Sequence, residues 1–152
     1  MSGLERIIPA NTLIDILKDR SVENPNKIAY TFLLDGETNA VSLTYQELDI
    51  KARAIAAYIQ SLCSTQDRVL LLYPPGLGFI EAFFACLYAE AIAIPAYPPR
   101  PNRSIARIQS IIKDAQPSLA LTTHSILTNL ERKAELTPEL KTLRWVSTDN
   151  ID

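Results

Sequence analysis

Apolar residues recur along this chain with two different periods, and the changes of period mark its elements. Near the start, Leu13, Ile16 and Leu17 form one helical stripe behind Thr12-Leu13-Ile14-Asp15, which has the spacing of a capping box. Asn24-Pro25 ends that helix, because the residue before a proline disfavours the α region. Strands follow at 28–34 and 41–43, and the polar run Asp35-Gly36-Glu37-Thr38-Asn39 between them predicts a hairpin turn. Next comes the clearest helix signal. Thr44-Tyr45-Gln46-Glu47 is a second capping box, and Leu48, Ala52, Ile55, Ala56 and Ile59 fall on one face behind it. Lys51, Arg53 and Gln60 lie elsewhere on the wheel, where solvated side chains are expected.

From Val69 short apolar runs alternate with helical ones. Val69-Leu70-Leu71-Leu72-Tyr73 predicts a buried strand, followed by a turn and a helix over 77–89. Phe79, Ile80, Ala82, Phe83, Phe84, Cys86 and Leu87 make that helix apolar nearly all round, so it is expected to lie deep. Ile92-Ala93-Ile94 is the next strand, and a Pro-rich loop over 95–101 leads to a helix carrying Ile105, Ile108, Ile111 and Ile112. Strands at 119–121 and 143–146 flank a weaker helix over 126–135, and the last strand is expected at an open sheet edge. Strands joined by helical crossovers imply an α/β fold: a parallel sheet with helices on its faces, preceded by one helix and a β-hairpin. At 152 residues the chain has room for one such domain, 1–152, and not for two.

Composition narrows the classes of function. Hydrophobic residues make up 47% and charged residues 21%, the balance of a soluble globular protein. A net charge of −2 supplies no basic field for nucleic acid or anionic lipid. Between Val69 and Tyr97 only Glu81 and Glu90 are charged, but Pro74-Pro75-Gly76, Gly78 and Pro95 cut the run into pieces too short to span a membrane. Met1-Ser2-Gly3-Leu4-Glu5-Arg6 lacks the apolar core of a signal peptide. The expectation is a cytoplasmic chain whose two cysteines, Cys63 and Cys86, stay as free thiols. With His124 the only histidine, a zinc site of about four N or S ligands cannot be assembled.

Candidate chemistry is sparse. Phosphate cradles need glycine, and the chain has four: Gly3, Gly36, Gly76 and Gly78. Gly76-Leu77-Gly78 follows a strand and opens a helix, as a dinucleotide fingerprint begins, yet Glu81 stands where the third glycine belongs and its carboxylate would repel a pyrophosphate. The pair reads as a structural turn. Arg100, Arg103 and Arg107 gather around the Pro-rich loop, either as a solvated basic edge or as a contact for a phosphate or an acidic carrier protein. His124, beside Thr122, Thr123 and Ser125, reads as a surface or capping residue, since one histidine without an acid–base partner makes no triad. Read from the residues alone, this is an α/β domain and no more.

Longer motifs add to that reading. Ser42-Leu43-Thr44-Tyr45-Gln46-Glu47-Leu48 resembles a segment found early in acyl- and aminoacyl-adenylate-forming enzymes, and the likeness continues through Asp67-Arg68-Val69 to Phe84. Leu71-Leu72-Tyr73-Pro74-Pro75-Gly76-Leu77, Ala82-Phe83-Phe84-Ala85-Cys86-Leu87-Tyr88-Ala89 and Ile94-Pro95-Ala96-Tyr97-Pro98-Pro99-Arg100-Pro101-Asn102-Arg103 resemble the fatty acyl-AMP ligase branch. Leu121-Thr122-Thr123 and Thr148-Asp149 fit the same pattern. Two positions depart from it. Glu90 follows Leu87-Tyr88-Ala89 where glycine is usual, and Gln66 precedes Asp67 where glycine is common. Glu90 is therefore expected just past the helix end, in a left-handed conformation.

The resemblance implies the first part of the large N-terminal domain of a ligase that joins a fatty acid to the AMP of ATP and passes the acyl group to an acyl carrier protein. ATP and Mg are implied as cofactors. Their contacts belong to a Ser/Thr/Gly-rich loop, a later adenine- and ribose-binding set and a C-terminal lysine, none of which has a counterpart in residues 1–152. No catalytic, cofactor-binding or metal residue is carried over. The fatty acid, the carrier protein and the rest of the adenylation domain are the expected partners. The alternative is a non-catalytic α/β docking module of the same partial fold.

Overall fold

A computed structural model describes residues 10–99, 105–134 and 138–151. Helix α1 (Leu13–Glu23) is capped by Thr12, whose hydroxyl accepts the Asp15 amide at 3.1 Å. The Asp15 carboxylate reaches back one residue further than a capping box requires, to the Asn11 amide at 3.1 Å. Asn24 is the C-cap, as Pro25 dictates. Of the predicted stripe only Leu17 is buried; Leu13 and Ile16 are exposed.

Strands β1 (Ile28–Leu33) and β2 (Ala40–Thr44) pair antiparallel. Asp35 organises the turn between them. Its Oδ1 accepts the amides of Glu37, Thr38 and Asn39, each at 2.9 Å, and its Oδ2 accepts the Thr38 hydroxyl at 2.9 Å. Those backbone donors, Glu37 and Asn39 first, hold its carboxyl well below the usual carboxylate range. Helix α2 (Tyr45–Leu62) starts with the expected capping box, Glu47 N–H to Thr44 Oγ1 at 3.1 Å and Thr44 N–H to Glu47 Oε2 at 2.8 Å. All five predicted stripe residues, Leu48, Ala52, Ile55, Ala56 and Ile59, are buried.

The rest is a three-layer sandwich. Strands β3 (Arg68–Leu72), β4 (Ile92–Ala96), β5 (Leu119–Thr122) and β6 (Trp145–Ser147) form one parallel sheet in the order β4-β3-β5-β6. Alternation along β3 sends Val69, Leu71 and Tyr73 into the core beneath α2 and α3 (Leu77–Tyr88). Leu70 and Leu72 enter the opposite core, with Ile108 and Ile112 of α4 (Ala106–Ala115), Leu130 of α5 (His124–Ala134) and Leu140 of α6 (Pro138–Thr142). Residues 69–72 are 0% exposed, which explains the unbroken apolar run. Pro95 is tolerated because β4 is an edge strand, and β6 forms the other edge, as expected.

Three expectations need correction. Helix α3 lies less deep than expected: none of its residues is exposed, but only Ala82, Ala85 and Cys86 are fully covered, and Phe79, Phe83 and Phe84 are half-buried with neighbouring rings 5.9–6.1 Å apart, one pair tilted and one edge-on. Residues 143–146 are not all strand, for Leu143 and Arg144 precede β6 and a short helix, α6, intervenes. Lastly, Lys51 and Arg53 are not simply solvated. Arg53 lies 3.0 Å from Asp49 and 5.1 Å over the Tyr88 ring, whose hydroxyl also donates to Asp49. This cluster ties α2 to α3, and Lys18 of α1 lies 5.6 Å from the same ring.

Candidate functional site

An open parallel sheet binds ligands beyond the carboxyl ends of its strands, where the strand order reverses. Here β3 is followed by β4 on one side and β5 on the other, so the reversal falls between β3 and β5. Polar groups converge there on a buried seam. Thr122 Oγ1 donates to the Leu72 carbonyl at 2.6 Å, the Tyr73 hydroxyl and Thr148 Oγ1 are 2.6 Å apart, and Thr148 N–H donates to the Thr122 carbonyl at 3.0 Å. Thr122 and Thr148 are the buried polar residues among those described. Burial pushes the Tyr73 hydroxyl above its ordinary range, so it stays protonated as a hydrogen-bonding group.

Beside the seam, at the ends of β3 and β4, opens a cavity of about 340 Å³. Tyr73, Pro74, Phe79, Pro95 and Tyr97 give it apolar walls, and Arg107 is the charged side chain among those lining it. Arg100 and Arg103 lie outside the described residues, so of the three clustered arginines only Arg107 is placed at this cavity. Such a cleft can bury an apolar group and pair an anionic end, and among the described residues lining it no nucleophile stands with a base beside it.

The remaining candidates resolve individually. Gly76 has φ 153° and ψ −175°, a conformation reserved for glycine, whereas a Cβ on either Gly76 or Gly78 would meet nothing nearer than 3.6 Å. The pair makes a turn, not a surface that a phosphate must approach closely. Glu81, on the first turns of α3, is half-buried, and desolvation raises its pKa against the opposing pull of Lys51. His124 is exposed at the start of α5, and its backbone N–H donates to Asp149 Oδ1 at 3.2 Å. Both cysteines are free; burial pushes the Cys86 thiol up to about 12 and raises that of half-buried Cys63. Neither is set up as a thiolate nucleophile. Among the described residues no three His, Cys, Asp or Glu side chains stand close enough to hold a metal ion.

Sequence reasoning missed Lys51. Its ammonium donates to the Ile151 carbonyl at 2.5 Å, a hundred residues away. The available signal was its place on the wheel, three residues after buried Leu48 and four before buried Ile55, at the border of the apolar stripe.

Glu90 and Gln66 both have left-handed backbones, φ 56° and φ 69°. Glu90 N–H bonds the Leu87 carbonyl and Ala91 N–H the Cys86 carbonyl, which is the Schellman ending of α3. Gln66 occupies the third position of a turn closed by Asp67 N–H to the Ser64 carbonyl, and its own N–H donates to the Glu90 carbonyl at 2.8 Å. Both departures from the fatty acyl-AMP ligase pattern therefore sit where glycine would relieve the backbone.

The family described as AMP-binding enzyme matches residues 17–151. The chain belongs to that family, and its sheet and helices match the N-terminal part of adenylate-forming enzyme structures. It is 47% identical over 145 residues to the medium-chain-fatty-acid–[acyl-carrier-protein] ligase JamA of Moorena producens, covering 93% of this chain and 24% of JamA. It is 30% identical over 129 residues to the long-chain-fatty-acid–AMP ligase FadD32 of Mycolicibacterium smegmatis, covering 83% of this chain and 20% of FadD32. Among solved structures, the fatty acyl-adenylate ligase from L. pneumophila in complex with acyl adenylate and pyrophosphate superposes with a TM-score of 0.80 at 33% identity. That match covers 95% of this chain and 24% of the ligase. The chain thus spans about a quarter of the length of the relatives it matches.

Proposed function

We propose that residues 1–152 form one partial domain, the N-terminal portion of a fatty acyl-AMP ligase that activates a fatty acid with ATP for transfer to an acyl carrier protein. The observation that carries this reading is the 47% identity to JamA over 93% of the chain. The half-covered apolar flank of α3 and the exposed residues Tyr30 and Val41 of the hairpin suit a surface that the rest of an adenylation domain packs against. ATP and Mg would be the cofactors of the whole ligase. The residues described here do not fit them: Gly76-Leu77-Gly78 is a turn followed by Glu81, and no acidic cluster is present among the described residues. No chemical step is assigned to this segment, and no catalytic, cofactor or metal residue within it. A cytoplasmic setting and a role in lipid or polyketide assembly accord with a carrier-protein ligase, and no helix among the described residues is long and apolar enough to cross a membrane. No observation favours the non-catalytic docking module.

The test is a graft. Replacing the matching segment of JamA with this chain should leave fatty-acid-dependent ATP–pyrophosphate exchange intact. Loss of exchange in a folded graft, with JamA itself active, would count against the reading.

A further inference from the structure

The cavity at the ends of β3 and β4 has walls poor in hydrogen-bond donors. Pro74, Pro75 and Pro95 carry no N–H, the Tyr73 hydroxyl is bonded to Thr148 Oγ1, and Phe79 and Ile111 present only hydrocarbon. Polar groups buried against such walls would go unpaired, so the walls select an apolar body. The volume of about 340 Å³ falls within the range of small-molecule sites, roughly 300–1,000 Å³.

Charge enters at one place among the described lining residues. Arg107 is exposed in the first turn of α4, where that helix borders the cavity. A cation at this end opposes the helix dipole, and the N-cap residue, Ile105, makes no side-chain capping bond. An anion at the mouth would pair with the guanidinium and complement the helix end together. One guanidinium fork matches one carboxylate, whereas a phosphate ester carries more charge and more acceptors than a single arginine can meet.

We propose that this cavity binds a monocarboxylate with an apolar body, its tail against Phe79, Pro95 and Ile111 and its carboxylate at the mouth on Arg107. A fatty acid is one member of that class. The site stands on its lining residues and not on the ligase reading, and it requires no nucleotide.

Decanoate, kept below its micelle concentration, is the probe, read by amide shifts in the isotope-labelled 152-residue chain. Saturable shifts are expected at Phe79, Ala96, Tyr97 and Ile111, and decanol should bind about three- to fivefold more weakly. Arg107→Met should weaken decanoate by the same factor and leave decanol unchanged, while Arg107→Lys, which keeps the charge, should retain most of the affinity. Ala96→Leu, which narrows the cavity, should weaken both probes together. If that variant does not fold, the exposed Arg107 variants carry the test. No saturable shift, shifts centred away from these residues, or equal affinity for decanoate and decanol would overturn the proposal. Decyl phosphate binding more tightly than decanoate would overturn the choice of a carboxylate. None of these results bears on exchange by the JamA graft, which decides the ligase reading separately.

Discussion

The hairpin and the parallel sheet contain the same kinds of residues and end up in different states. Both have apolar residues at strand spacing, Tyr30, Phe32, Val41 and Leu43 in one, Leu70, Leu72, Leu119 and Leu121 in the other. The sheet residues are 0% exposed, because helices cover both faces. On the hairpin Tyr30 is 39% and Val41 40% exposed, because one face meets α2 and α3 only in part. Strand pattern fixes which side chains share a face; whether that face is buried depends on the layer opposite. Sheet and hairpin should therefore respond differently to truncation.

The largest effect is expected at Leu71. Leu71→Ala should cost about 2–5 kcal/mol by urea denaturation, whereas Val41→Ala should cost under about 1 kcal/mol. Equal losses would erase the distinction. Phe83 lies between the two regimes: its half-buried ring is expected to bring Phe83→Ala to about 2 kcal/mol, below the 3–5 kcal/mol of a fully buried phenylalanine. A loss near zero would make α3 a surface helix. Third, Glu90→Gly should stabilise the chain by about 1 kcal/mol, since the left-handed Schellman position penalises a Cβ. Destabilisation would show that the Glu90 side chain contributes more than its backbone strain costs. The smallest effect is confined to the hairpin tip. Asp35→Ala should speed amide exchange at Glu37, Thr38 and Asn39 without shifting the global midpoint. Acid should act in the same direction: the bonds favour the ionised carboxylate, so tip order persists above its ordinary pKa and fades as pH falls through the depressed one.

Most of the fold could be read from residue pattern because its elements carry local signals. Thr44 and Glu47 cap α2, Pro25 stops α1 from continuing, and the apolar run at 69–72 needs two covered faces. Other features depended on partners distant in sequence. Helix α6 went unread although Thr137-Pro138 is a helix-start pattern, because a five-residue helix carries too little periodicity to stand out. The burial of α3 was overestimated because composition does not say that Ala82, Ala85 and Cys86 are covered completely while the phenylalanines are covered only in part. Lys51 looked solvated because its acceptor is a backbone carbonyl one hundred residues away. No periodicity encodes such a bond. The ligase reading, in turn, came from extended motifs, since among the described residues the site holds no set that announces its chemistry.

The central claim is that this chain carries the scaffold of a fatty acyl-AMP ligase and not its nucleotide site. ATP–pyrophosphate exchange with medium- and long-chain fatty acids tests it most directly, using the purified 152-residue chain alone and mixed with the remaining part of JamA. The account predicts no exchange by the chain alone and fatty-acid-dependent exchange once the remainder is supplied. Exchange above background by the 152-residue chain by itself would contradict it, because that activity requires a phosphate site, which the proposed reading places outside residues 1–152.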